Sequence, residues 1–296
     1  MEVNVEDTGM KNIQWFPGHM TKTRRMIKAN LSLVDAVVEI LDARTPLSSR
    51  NPEMDRLTGD KPKIVLLNKC DVADEKATQM WINYFQRKGI TGIAVDCKSG
   101  KGLKNFLPAV KNKVLKELID KRNSNGMTGA MIRLMIVGIP NVGKSSFINK
   151  MAGEKRAKVE DRPGVTRTKQ WVKLGNGVEL LDMPGVLWPK FEDQSVALKL
   201  AFTGAISDDI LDIETLAMKL LTFLAESYPN SLIERYKIEI ENDDTGIVLL
   251  EKIGKKRGMI VSGGEVNTER AAITVLDEYR SGKLGRITLE MPQNKE

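Results

Sequence analysis

The chain has 296 residues, of which 41% are hydrophobic, so it can bury the core of one large domain and a smaller second one. No apolar run approaches the roughly 20 residues of a membrane span, no signal-peptide stretch is present, and Cys70 and Cys97 lack metal-site spacing, which together favour a reduced cytoplasmic compartment. A net charge of +7 indicates a polyanionic partner only weakly, because many basic proteins bind no nucleic acid.

Short apolar runs alternate with helix-compatible segments along the first half of the chain. After a basic, aromatic arm, four runs rich in β-branched residues have the length of buried strands: 33–43, 64–69, 92–97 and 131–138. Between them, segments 77–89 and 105–122 favour helices. This alternation predicts a mainly parallel sheet with helices on both faces.

The second half of the chain changes character. A polar linker at 122–129 leads into the fourth strand, and a Gly-Asn-Gly turn within 171–183 predicts a β-hairpin. Beyond about residue 190 the pattern is mainly helical and ends in one more helix and a basic terminus. We therefore expect an α/β domain followed by a smaller helical one.

The segment GIPNVGKS (138–145) matches the phosphate-loop pattern, with an apolar strand before it and a helix after it. Glycine at 138 and 143 lets backbone N–H groups turn towards phosphate oxygens. Lys144 would contact the β- and γ-phosphates, and the Ser145 hydroxyl would bind Mg²⁺. The flanking strand and helix argue against a plain Gly-rich turn. The predicted phosphate-side residues are Asn141, Val142, Gly143, Lys144, Ser145 and Ser146.

A base-reading motif, NKCD (68–71), follows the second strand. Asp71 would accept hydrogen bonds from N1–H and the exocyclic amine of guanine, a donor pair that adenine lacks. Asn68 would brace the loop, and the Lys69 stem would lie along the base. After the third strand, the backbone amides of Cys97 and Lys98 in DCKSGKG (96–102) would close over the base edge. Alone, each motif is an ordinary polar or Gly-rich loop.

Two tetrapeptides supply the metal side. In DMPG (182–185), Asp182 would hold Mg²⁺ through water, and the Gly185 N–H would contact the γ-phosphate. In PGVT (163–166), Thr166 would complete the metal shell when a triphosphate is bound. Either one alone is a plain turn, but with the phosphate loop they form the usual set of GTPase motifs.

The order of the motifs is unusual, because NKCD and DCKSGKG precede the phosphate loop. The same sheet gives this order if the chain termini are moved. With WFPGHMTK (15–22), DARTPLSSRNP (42–52) and DMPGVLWPKFED (182–193), it closely resembles the circularly permuted GTPases of the ribosome biogenesis GTPase A (YlqF) family. The chain departs from the usual motifs at Met183, where Thr is commoner, and at Asp96-Cys97-Lys98, where Ser-Ala-Lys is usual.

The resemblance implies a circularly permuted P-loop GTPase domain of the α/β class, with a mainly parallel sheet, followed by a smaller helical C-terminal domain. The expected divisions are a basic arm at 1–30, the G domain at 31–190 and a helical RNA-binding domain at 191–296. Permutation would bring the arm and the C-terminal domain to the γ-phosphate side.

That arrangement gives a role to the single histidine of the chain. The residue after DMPG is Val186, which cannot orient a water molecule as the glutamine of other GTPases does. His19 is the available general base or water-orienting residue, and the resemblance implies the same catalytic role beside Lys144. The alternative is that His19 packs against Trp15 and Phe16.

Asn141 raises the question of a second cation. GTPases with Asn at this place often bind K⁺ beside the phosphates, which we slightly favour. The alternative is an Asn that caps the helix or braces the loop.

Basic residues cluster in the arm, in KIGKKRG (252–258) and at three C-terminal positions: Arg280, Lys283 and Arg286. They suit a phosphate backbone, although solvated surface charge is an equal alternative on sequence alone. The resemblance implies GTP hydrolysis to GDP during late assembly of the large (50S) ribosomal subunit, with rRNA and ribosomal proteins as partners bound in the GTP state. A GTP-dependent RNA-binding scaffold with incidental hydrolysis is the alternative, and NKCD argues against a kinase.

Overall fold

The computed structural model describes residues 13–14, 19–153, 169–188 and 190–293, without the side chain of His19. Within these ranges, no helix is long and apolar enough to cross a membrane.

Six strands in the described residues form one sheet. They are β1 (Ala36–Asp42), β2 (Lys63–Asn68), β3 (Thr91–Ala94), β4 (Ile132–Val137), β5 (Gln170–Gly175) and β6 (Val178–Asp182). Their order is β3-β2-β1-β4-β6-β5, and only the β5–β6 pair is antiparallel. The mainly parallel sheet and the hairpin are thus confirmed.

The parallel strands share one carboxyl edge. Every residue of β1 is buried, as expected for a strand covered by helices on both faces. Asp42 at the end of β1 lies in register with Asn68 at the end of β2, and β6 ends at Asp182 beside β4. The loops that carry the predicted motifs therefore leave the sheet on the same side, where α/β proteins bind their ligands.

Helices of the first half cover this sheet: α1 (His19–Asn30), α2 (Met54–Thr58), α3 (Glu75–Arg87), α4 (Phe106–Ala109), α5 (Lys116–Ser124) and α6 (Lys144–Ala152). Asp74 caps α3 by accepting a hydrogen bond from the Ala77 N–H, and Trp81 and Phe85 face the core. The predicted helix at 105–122 is interrupted by a π-helical turn between α4 and α5. This wider turn lets both Val110 and Leu115 reach the core.

The chain beyond residue 190 is mainly helical, as predicted, with α7 (Gln194–Phe202), α8 (Ile213–Ser227), α9 (Pro229–Tyr236), α10 (Gly246–Lys256) and α11 (Thr268–Arg280). α10 packs closely on α8, because a Cβ at Gly246 would lie 2.4 Å from the Met218 carbonyl oxygen. After α11 the chain returns to the sheet domain, where Ile287 N–H bonds to the Val72 carbonyl and Leu289 N–H bonds to the Arg44 carbonyl. The expected domain boundary at residue 190 stays a prediction. The C-terminal tail contacts residues before this boundary, such as Arg44 and Val72, and residues after it, such as Tyr228.

Candidate functional site

The phosphate loop lies between β4 and α6, and its glycines are fixed by their surroundings. Gly143 has a φ of 95°, and a Cβ there would lie 2.2 Å from the Asn68 side-chain nitrogen. A Cβ at Gly138 would lie 2.5 Å from the Ile40 carbonyl oxygen. Larger residues are therefore excluded by backbone conformation and by the neighbouring strands β1 and β2.

Lys144, the first residue of α6, is buried and folds back over its own loop. Its ammonium donates to the carbonyl oxygens of Gly138 at 3.1 Å and Ile139 at 2.8 Å. Burial lowers the pKa of Lys144 to about 8, and the nearby Asp182 only partly offsets this. Lys144 is therefore still mainly protonated at neutral pH and can exchange these carbonyl oxygens for phosphate oxygens.

Asp182, at the end of β6, is fully buried. Neither of its carboxylate oxygens accepts a hydrogen bond from the described residues. Burial raises the pKa of Asp182 to about 6, and Lys144 opposes this rise. A buried carboxylate without a partner is costly unless it receives a cation or a hydrogen bond. Together with the Ser145 hydroxyl on α6, it is a donor set of the kind that Mg²⁺ prefers.

The DMPG segment lies directly against the phosphate loop. A Cβ at Gly185 would come within 2.9 Å of the Pro140 nitrogen and 3.2 Å of the Lys144 ammonium. The next N–H, from Val186, donates to the Gly138 carbonyl at 3.3 Å. Gly185 therefore lies beside the ammonium that would contact the γ-phosphate. Thr166, predicted to complete the metal shell, lies outside the described residues.

Asn68 ties the base-reading loop to two other loops. Its side-chain nitrogen donates to the Val142 carbonyl at 2.7 Å, and its side-chain oxygen accepts the Cys97 N–H at 3.1 Å. Both bonds are buried, so one amide connects the phosphate loop, NKCD and DCKSGKG. This is the geometry that the predicted bracing role requires.

The base-contacting residues are only partly arranged as expected. Asp71 is half-buried. The N–H groups of Cys97 and Lys98 already donate, to Asn68 and to the Asp96 carboxylate respectively. A guanine oxygen at this edge would have to share these donors. The predicted contact with the two amides stays a prediction.

The described residues of the N-terminal arm lie on the DMPG side. His19 begins α1, and the sulfur of the next residue, Met20, accepts the Leu187 N–H at 3.3 Å. Ile13 N–H donates to the Gln194 side chain at 2.8 Å. Ile13 and Met20 therefore contact the part of the chain that follows Gly185. The His19 side chain and its alternative partners, Trp15 and Phe16, lie outside the described parts.

Two connections to the C-terminal helices are absent from the sequence predictions. The side-chain nitrogen of Asn141 donates to the Gly204 carbonyl at 2.7 Å, so the bracing alternative has a visible partner. Arg44 forms a buried ion pair with Asp42 and lies against Tyr279. In the sequence, the Asn141 contact was indicated only by the alternative that this residue braces the loop. The Arg44 pair was indicated only by its place in DARTPLSSRNP.

Several basic residues of the predicted RNA-binding clusters form internal ion pairs. Arg280 pairs with Asp208 at 2.6 Å and Arg286 with Glu75 at 3.0 Å. Arg24 pairs with Glu53 and Lys252 with Asp244. Cations that stay exposed include Lys22, Arg25, Lys28 and Lys256.

Known proteins match this arrangement along most of the chain. Residues 133–258 match a family model described as a 50S ribosome-binding GTPase, starting at β4 and leaving out NKCD, which comes earlier in this chain. Over 281 residues the chain is 48% identical to the ribosome biogenesis GTPase A of Bacillus cereus, covering 95% of this chain and 94% of that protein. The Thermotoga maritima protein of the same name is 33% identical, with 95% of each chain covered.

A crystal structure described as GNP-bound YlqF from T. maritima superposes with a TM-score of 0.65 at 30% identity, covering 92% of this chain and 99% of that one. Relatives with this sequence identity and coverage establish the family of this chain. The chain belongs to the ribosome biogenesis GTPase A family and is a GTPase with a circularly permuted G domain.

Proposed function

We propose that this GTPase acts late in the assembly of the large (50S) ribosomal subunit, binds rRNA in the GTP state and is released on hydrolysis. Relatives named for ribosome biogenesis and a family model named for 50S binding support this role. The observation that carries the enzymatic part is the meeting of NKCD, the phosphate loop and DMPG at one edge of the sheet. The buried Asp182 carboxylate there accepts no hydrogen bond from the described residues.

In the proposed reaction, Asp71 selects guanine, and Lys144 moves from the carbonyl oxygens of its own loop to the phosphates. Ser145 and, through water, Asp182 would hold Mg²⁺, and Thr166 would join them in the triphosphate state. The bound ion would neutralise phosphate charge. The Gly185 N–H would bind the γ-phosphate. K⁺ at Asn141 is part of the proposal, although the side-chain nitrogen of Asn141 already contacts Gly204.

His19 is proposed to orient or deprotonate the attacking water. Val186 is fully buried and has no side-chain group that could do so. The contact between Met20 and Leu187 brings the start of α1 to the segment after DMPG. Exposed Arg25 and Lys28 on α1 can bind phosphate groups of rRNA. Binding of α1 to the particle would therefore fix the position of His19, the first residue of this helix.

The test is GTP hydrolysis with and without 50S particles, in K⁺ and in Na⁺. We expect slow basal GTP hydrolysis that 50S particles stimulate. The stimulated rate should be higher in K⁺ than in Na⁺. His19→Ala should remove the stimulation and keep the GTP affinity, whereas His19→Gln should keep part of it if the residue orients water. GTP-dependent binding to particles without stimulated hydrolysis would favour the scaffold alternative, and full stimulation in His19→Ala would exclude the proposed catalytic role.

A further inference from the structure

A buried ion pair lies directly behind the base-reading loop. The Asp42 carboxylate accepts hydrogen bonds from the Arg44 guanidinium at 2.7 and 2.9 Å and from the Arg44 N–H at 3.0 Å. Both side chains are almost completely buried. The Lys69 ammonium shares the same carboxylate at 3.0 Å. The Lys69 ammonium is therefore held by a carboxylate in the protein interior.

The anchor is itself held by the end of α11. The Arg44 guanidinium lies 5.2 Å from the centre of the Tyr279 ring and donates to the Arg280 carbonyl at 3.5 Å. The Arg44 carbonyl accepts the Leu289 N–H at 2.8 Å. A guanidinium can stack on an aromatic face and form a two-pronged bond with a carboxylate at the same time, which a lysine cannot do. The position of Asp42 thus depends on the C-terminal helices.

The charges keep this arrangement in place. Burial opposes the ionisation of Asp42, but the charges of Arg44 and Lys69 and the hydrogen bonds from Arg44 outweigh it and hold the pKa of Asp42 well below its usual range. Burial and the Arg44 charge lower the pKa of Lys69, and Asp42 opposes this. If the ion pair between Arg44 and Asp42 were weakened, the Asp42 carboxylate would draw the Lys69 ammonium closer, because a buried charge needs a partner.

We propose that Arg44 is a positioning residue of the guanine site, which places Lys69 against the base through Asp42 and is itself placed by Tyr279. This rests on the proposed function, in which the Lys69 stem lies along guanine. It follows that a shift of α11 changes guanine-nucleotide affinity without contact between α11 and the nucleotide.

A double-mutant cycle tests the route. Arg44→Lys should weaken binding of fluorescent GDP about tenfold, as expected for the loss of one charge-assisted hydrogen bond. In a Lys69→Ala background the same change should have little further effect, because the residue through which Arg44 acts is gone. Arg50→Lys is the matched control, since Arg50 forms its ion pairs with the buried Glu39 at 3.1 Å and with Asp55 at 2.7 Å. Arg50→Lys should lower the melting temperature and leave GDP affinity intact.

A second pair of variants covers the case in which Arg44→Lys does not fold. Tyr279→Leu removes the ring beneath Arg44 and should weaken GDP binding about fivefold, again only when Lys69 is present. Tyr236→Leu is its control, because Arg257 lies 5.4 Å from the Tyr236 ring in a similar pair away from the nucleotide site.

Additive effects in either cycle, or unchanged affinity in a folded Arg44 or Tyr279 variant, would overturn the inference while leaving the GTPase assignment untouched. A wild-type chain that failed to bind guanine nucleotides would instead overturn the proposed function.

Discussion

The buried Asp182 carboxylate predicts that the nucleotide-free protein loses stability as the pH rises. Burial raises the pKa of Asp182 from 3.8 to about 6, and the attraction of Lys144 offsets only part of this. In the unfolded chain the same group ionises near its ordinary pKa. Between about pH 4 and pH 6 the folded form therefore keeps a proton that the unfolded form has lost, so the free energy of unfolding falls across this interval.

The expected size follows from the pKa shift. A shift of about two pH units corresponds to about 3 kcal/mol of unfolding free energy. Because Asp182 is 0% exposed, solvent does not screen the effect. Urea unfolding of nucleotide-free protein in chelator, in steps from about pH 4 to pH 6.5, measures it for the wild type and for Asp182→Asn, which cannot titrate. Over this range the wild-type value minus the variant value should fall by about 2 kcal/mol, because the unfolded-state carboxyl group is already about half ionised near pH 4.

Taking this difference removes the titration of other groups and any constant effect of the substitution. A difference that is flat or rises with pH would refute the reasoning, because it would mean that the carboxylate is solvated or hydrogen-bonded. With GDP and Mg²⁺ present the trend should reverse, since a bound cation favours the ionised carboxylate.

Three further predictions concern the phosphate loop, the base-reading loop and the C-terminal tail. Gly143→Ala should weaken GDP binding by about tenfold or more, because its Cβ would lie 2.2 Å from the Asn68 amide. Gly153→Ala is its control: it has a similar left-handed φ, no atom of the described residues lies within 4 Å of its Cβ, and it should cost only about 1 kcal/mol of stability in urea unfolding. Asp71→Asn should move nucleotide preference towards xanthine in competition assays, and unchanged guanine preference would contradict the base assignment. Glu290→Gln should lower the free energy of unfolding by about 2 to 4 kcal/mol, because this buried carboxylate accepts two backbone N–H groups and pairs with a buried lysine; a smaller loss would mean that the tail is weakly held.

The sheet and the phosphate loop could be predicted because their causes are local. Strands β1 and β4 are short and mostly apolar, which a strand covered on both faces requires. Gly138 and Gly143 are required by backbone geometry that a short pattern encodes. The hairpin was equally visible from its Gly-Asn-Gly turn. The helix at 105–122 was predicted as continuous because its π-helical turn depends on which residues must reach the core, which only the packed structure decides.

The contacts behind the site could not be predicted because their partners are distant in sequence. Arg44 meets Tyr279 and the tail near Leu289 only after the C-terminal helices have folded back. Lys69 and Asn141 adopt left-handed backbone conformations that are uncommon for residues other than glycine. A motif gives the identity of such residues but not the conformation that the surrounding loops impose on them.

Arg280 connects the two places where the C-terminal helices meet the nucleotide site. On the phosphate side, its guanidinium donates to the Ala201 and Phe202 carbonyls at the end of α7, next to the Gly204 carbonyl that accepts the Asn141 amide. On the base side, its own carbonyl accepts a hydrogen bond from Arg44. A displacement of α11 would therefore act on the phosphate loop and on the base loop together. Because coupling between two binding sites is reciprocal, any ligand that shifts these helices must change GTP affinity by the same factor by which GTP changes the affinity for that ligand.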